Sequence, residues 1–128
     1  MSESEKVTIN IGMVDLGRID LLVQEGFYAN RTDFIRTAIR NQLDKQAETV
    51  TDVAVRRAMT IGTVTYTYKD LEAMKALGEK LNIKVIGLFI LAQDVTPDLA
   101  LATIESVVVH GAFKAPEDVK EALKDRLR

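Results

Sequence analysis

Lys6-Val7-Thr8-Ile9-Asn10-Ile11 is the stretch on which the reading of this chain turns. Val7, Ile9 and Ile11 alternate with Lys6, Thr8 and Asn10, the two-residue period of a strand with one apolar and one polar face. At Leu16 the period changes. Leu16, Ile19, Leu22 and Val23 share one face of a helix, with Asp15 as its expected N-cap. Gly26 suits the left-handed position just past a helix end. Asn30 is placed to cap a second helix, and Asp33 falls in its first turn, where the helix dipole favours a carboxylate. Phe34, Ile35, Ala38, Ile39 and Leu43 form the apolar stripe of that helix. Gln42, Asp44 and Lys45 are polar, which predicts an end near residues 45–48.

One strand and two helices make an incomplete object. A lone strand leaves its backbone groups unpaired, and so short a unit buries too little surface to stand by itself. Either a strand from the second half of the chain pairs with residues 6–11, or a second copy of the chain does. Self-pairing about a two-fold axis gives an antiparallel ribbon over four intertwined helices. Val7, Ile9 and Ile11 then cover the helical core, while Lys6, Thr8 and Asn10 project outward, doubled by symmetry.

The strand, the helix, Gly26 and then Asn30-Arg31-Thr32-Asp33-Phe34-Ile35-Arg36 together resemble the ribbon-helix-helix DNA-binding family, which includes the MetJ, Arc and CopG repressors. The resemblance covers residues 5–46. At the junction between the helices the family typically shows Ser or Asn, then Arg-Ser-Glu and Ile-Arg. Thr32 and Asp33 stand here for Ser and Glu, and the turn Phe27 to Ala29 is about one residue longer than usual. The resemblance implies a homodimer on double-stranded DNA, its ribbon in the major groove. Lys6 would donate to guanine and Asn10 would pair with adenine, while Thr8 would meet either kind of base. Asn30, Arg31 and Thr32 would hold a backbone phosphate at the start of the second helix, fixing register rather than reading sequence. The plainer readings stand beside these. An alternating strand is most often just half-solvated, and Asn30 by itself is a helix cap.

Charge pulls the other way. The 128 residues carry 17 Lys+Arg against 19 Asp+Glu, a net charge of -2. Residues 1–47 hold six basic and seven acidic residues. Sequence-independent affinity rests on neutralising phosphates, so it should be modest, with specificity coming from base contacts and from dimers on adjacent sites. Hydrophobic residues make up 47%, which excludes a chain disordered throughout. With no cysteine and one histidine, His110, the chain cannot supply the ligand set that the nickel-responsive regulator of the resembled family needs, and no metal or cofactor is expected. The start, Met-Ser-Glu-Ser-Glu-Lys, has no apolar stretch and reads as no signal peptide. The longest apolar run, Val85 to Ala92, is too short to span a bilayer. A cytoplasmic, nucleoid-associated protein is the expectation, with no membrane contact.

The fold class expected is α+β: residues 1–47 as the ribbon-helix-helix domain, 48–58 as a linker, and 59–128 as a small α/β domain of β-turn-α repeats. Within 47–58 the linker reads as helical from Asp52. Strands are expected over Met59 to Tyr68, over Ile83 to Ala92 (buried on both faces) and over Ser106 to His110. Helices are expected over Asp70 to Leu81, from Pro97 to Ala102 with Thr96 as cap, and over Pro116 to Leu127 with Val119, Leu123 and Leu127 inward. Gly87-x-Phe89-x4-Asp94-Val95-x3-Leu99 matches Gly111-x-Phe113-x4-Asp118-Val119-x3-Leu123 at an offset of 24, and Gly62 with Val64 reads as a degenerate third copy. Such units favour parallel strands with helices alongside. Asp94 and Asp118 read as helix caps rather than a catalytic pair. His110 reads as a strand-end or interface residue. Tyr66 and Tyr68 sit on one strand face, as core or as the lining of a small pocket.

No catalytic set emerges, so the chain reads as no enzyme. It reads as a sequence-specific transcriptional regulator of bacterial type, a repressor, with 59–128 carrying assembly to tetramers or higher, or contact with a partner or effector. Two alternatives remain: an antitoxin that autoregulates its operon, and a scaffold that uses the ribbon only to dimerise.

Overall fold

The computed structural model describes residues 4–128. Met1, Ser2 and Glu3, part of the start read as no signal peptide and, for Glu3, of the charge count above, lie outside the described residues. The chain divides into two compact units, one running over residues 4–53 and the other over 54–128.

The first unit holds α1 (Met13–Gln24), α2 (Arg31–Lys45) and most of α3 (Ala47–Arg56). α1 begins earlier than its apolar face suggested. Gly12 occupies the N-cap, its carbonyl accepting the Leu16 N–H at 2.9 Å, and Asp15 lies inside the first turn. There Asp15 meets the helix dipole and pairs with Arg18 at 3.7 Å, so it stabilises the end without capping it. The far end is as expected. Gly26 has φ of 87° and donates to the Val23 carbonyl, while Phe27 donates to that of Leu22. This pair of bonds closes the helix through a left-handed residue. Asn30 accepts the Asp33 N–H at 2.7 Å and so caps α2. In the segment expected as a linker, the helix starts earlier than Asp52. Ala47 to Arg56 is helix, ended by the same pair of bonds but with Ala58 in the left-handed position at φ of 53°.

The second unit is a three-stranded parallel sheet in the order β1-β2-β3. β1 is Thr60–Tyr66, β2 Leu81–Leu91 and β3 Ile104–Lys114. α4 (Tyr68–Ala76) links β1 to β2, α5 (Pro97–Thr103) links β2 to β3, and α6 (Glu117–Ala122) follows β3. Alternation builds the core: Ile83, Val85, Phe89 and Leu91 of β2 are buried with Leu71 of α4, Leu99 of α5 and Val119 of α6. Phe89 stacks on Phe113 at 5.1 Å and receives Tyr66 edge-on at 6.2 Å.

Several boundaries move. Thr67 caps α4 in a reciprocal pair with Asp70, so that helix starts before Asp70, and Leu81 opens β2 instead of closing the helix. Tyr68 therefore leaves the strand face it was placed on. β2 is not buried on both faces along its length, since Asn82 and Lys84 are exposed. The last helix stops at Ala122. A single 3-10 turn over Lys124–Arg126 follows, and Leu127 turns back to bridge Val107 while staying 44% exposed. Arg126 holds that turn by donating to the carbonyls of Leu101 and Ile104, which the end of α5 leaves over. Asp94 caps, but not the helix that follows it in the chain: it accepts the Tyr68 N–H at the start of α4.

Candidate nucleic-acid interface

Residues 6–11 belong to none of the three strands. The first of the two pairings open to them, with a strand from the second half, is not made: the described sheet contains only β1, β2 and β3. The strand expected here is not formed within one chain, because a strand exists only through a partner and the described residues provide none. Lys6, Thr8 and Asn10 are exposed, and so are the alternating apolar residues, Val7 at 80% and Ile9 at 65%. The apolar stripe of α2 is open at Ile39 and Leu43, which are exposed, and half-buried at Phe34 and Ile35. In the first unit Ile19 is the one buried large residue among those described.

The start of α2 brings Asn30, Arg31 and Thr32 together as the sequence placed them. It also gives two of their side chains partners within the chain. The Asn30 amide oxygen is taken by the Asp33 N–H, and the Asp33 carboxylate reaches back to the Ala29 N–H at 2.9 Å. Tyr28 meets Phe34 edge-on at 4.9 Å, fixing the turn against the helix. Arg31 is held in a two-pronged pair by Asp20 of α1, Nε to Oδ1 at 2.7 Å and a terminal nitrogen to Oδ2 at 2.8 Å. These hydrogen bonds, and then the charges themselves, hold the Asp20 carboxyl below the usual range and raise the guanidinium. Thr32 is exposed. Sequence reasoning missed Asp20, because two residues eleven apart meet only once the Gly26 turn sets the angle between their helices. The turn was legible; its angle was not.

The second unit offers no comparable chemistry. His110 is exposed on β3, and no group of three or more metal-ligating side chains occurs among the described residues. Tyr66 is core. No helix of the described residues is long and apolar enough to cross a membrane.

A family model described as the Ribbon-Helix-Helix transcriptional regulator family matches residues 2–120. The match runs far past the third of the chain that carried the resemblance and takes in all three strands of the second unit. No curated protein and no solved structure match.

Proposed function

The chain belongs to the ribbon-helix-helix transcriptional regulator family, and from that premise we propose that it is a sequence-specific repressor acting as a dimer, with residues 6–11 of two copies paired into an antiparallel ribbon in the major groove of operator DNA. The observation that carries this reading is the open first unit. Val7, Ile9, Ile39 and Leu43 are large apolar residues left exposed on one short stretch of chain. Surface of that kind marks a missing partner, and in this family the partner is a twin.

Lys6, Thr8 and Asn10 then read base edges twice over. Asn30, Arg31 and Thr32 stand at the phosphate-facing end of α2, with Arg31 exchanging its bond to Asp20 for a phosphate when DNA arrives. Residues 59–128 carry assembly of dimers into tetramers or larger forms, so that weak individual sites are filled together.

Selection of bound sites from random DNA by the purified protein tests this. A short palindromic or tandem motif is expected, and Lys6→Ala with Asn10→Ala should erase the preference while leaving residual binding. Recovery of no motif, or one unchanged in the double variant, would return the ribbon to a purely dimerising role.

A further inference from the structure

Each strand of the second unit carries one glycine at the same level of the sheet: Gly62 pairs with Gly87, and Gly87 with Gly111. All three have positive φ, 132°, 136° and 125°. A Cβ on Gly87 would collide with the carbonyl oxygen of Gly62, and one on Gly111 with that of Gly87. In both cases the carbonyl of the preceding glycine fills the space a side chain would need. Gly62 has the same backbone and no such neighbour, since a Cβ there would meet nothing within 4 Å. The ladder has an empty slot at one end and, at the other, a Gly111 with no further strand beside it.

The two edges fit that description in other ways. β1 reads Thr-Ile-Gly-Thr-Val-Thr-Tyr, with five β-branched residues of seven, no charge and no proline. Open edges are normally blunted by lysine, proline or a bulge, and β1 has none of these along its length. On the far side, the chain's last residues cover β3 only near its beginning. Leu127 bridges Val107, and the Arg128 N–H donates to the Val107 carbonyl at 2.8 Å. Thr60 stands beside Val85, and Val85 beside Val109. A strand like β1 laid along β3 in that register would therefore begin at Val109, two residues past the covered one.

We infer that β1 of one chain docks in parallel on β3 of a second copy, with the Gly111 carbonyl of that copy in the empty slot at Gly62. The joint repeats the two joints already inside the sheet. It is heterologous: each chain offers one β1 edge and one β3 edge, so copies add head to tail until a ring closes or an array grows. This rests on the reading that residues 59–128 carry assembly, and adds which edges meet.

The absence of cysteine makes a clean test. Thr63 and Ala112 both stand at the level of Leu88. Within one chain they are two strand spacings apart, about 10 Å, beyond the reach of a disulfide. Across the inferred joint they are direct neighbours. Full-length Thr63→Cys and Ala112→Cys, mixed and mildly oxidised, should give a cross-linked mixed pair. Neither alone should cross-link, and the double variant should give a covalent series. Ile61→Cys with His110→Cys, at the level of Ile86, repeats the test should either first variant fail to fold. Cross-linking of Thr63→Cys with itself would mean that β1 meets β1, and overturns the joint. No cross-linking, while the unaltered chain sediments above a dimer, overturns the joint and leaves assembly standing. Dimers alone at every concentration overturn both.

Discussion

The two units solve the problem of burial differently. Residues 54–128 bury Leu71, Phe89, Leu91, Ile104, Val107, Val119 and Leu123 almost completely within one chain. Residues 4–53 bury Ile19 and leave Val7, Ile9, Leu21, Ile39 and Leu43 in solvent. Both halves have apolar residues at strand or helix spacing. On the proposed reading, what differs is whether the complementary surface lies in the same chain. The lesson is that a regular pattern predicts a face, and only a partner makes the face a core.

The largest effect belongs to the self-contained half. Gly87→Ala puts a Cβ against a backbone carbonyl in the central strand, at a φ that side chains avoid. Neither the carbonyl nor the strand can yield cheaply, so the expected loss is about 3–5 kcal/mol, read from thermal or urea melts. Gly62→Ala meets no atom of its own chain and, melted at a dilution where copies do not dock, should cost only the left-handed backbone, about 1–2 kcal/mol. Equal losses at the two positions would remove the distinction between a filled slot and an empty one.

The next change separates the halves. Leu43→Lys alters an exposed residue, which in a self-sufficient unit would shift stability by no more than about 0.5 kcal/mol. If Leu43 faces a twin, the change places a charge in the dimer core. Sedimentation should then show the pairing through the first unit lost, with only assembly through the second unit left, and gel shifts should show DNA binding lost, while the melt of the second unit is unaltered.

A smaller effect sharpens the interface itself. Arg31→Ala should weaken binding to all DNA sequences alike and lower the salt slope by about one per chain. Asp20→Asn should act in the opposite direction, because it releases the guanidinium from its carboxylate partner. Equal binding by both variants across salt would mean that Arg31 only braces α1 against α2.

The smallest concerns pH. The Asp70 carboxyl is held below its ordinary pKa, first by the Thr67 N–H at 2.9 Å and then by the Thr67 hydroxyl. A lowered folded pKa stabilises the protein above the unfolded carboxylate value, and the benefit fades as pH falls through the folded one. Asp70→Asn should therefore melt earlier than the parent at neutral pH and match it in acid. A difference that stays constant through the acid range would contradict the capping role.

Much of this was legible in the sequence. The Asn30 cap, the Gly26 stop and the α1 face were readable because local chemistry specifies each of them. Thr96 with Pro97 likewise marked α5. The glycines offset by 24 turned out to be neighbours across the sheet, because in a parallel sheet each strand-turn-helix unit returns the chain to the same level one strand over. Residues 47–58 were read as a linker helical from Asp52; α3 starts at Ala47, and its stop was not legible because alanine, here Ala58, carries no signal for a left-handed residue. Leu81 fitted a helical stripe, yet the Gly78 turn ended the helix first and the residue went to β2. At the interface, residue types and spacing placed Asn30 and Arg31, but no local pattern could show that Asp20 already holds Arg31.

On the proposed reading residues 6–11 form a strand only with a twin. Isotope-filtered NMR on a dimer of labelled and unlabelled full-length chains tests this. Intermolecular contacts between residues 6–11 of one chain and the same residues of the other are expected, with every second amide slow to exchange. Amides there exchanging as fast as those of a free peptide, with no intermolecular contacts, would contradict it.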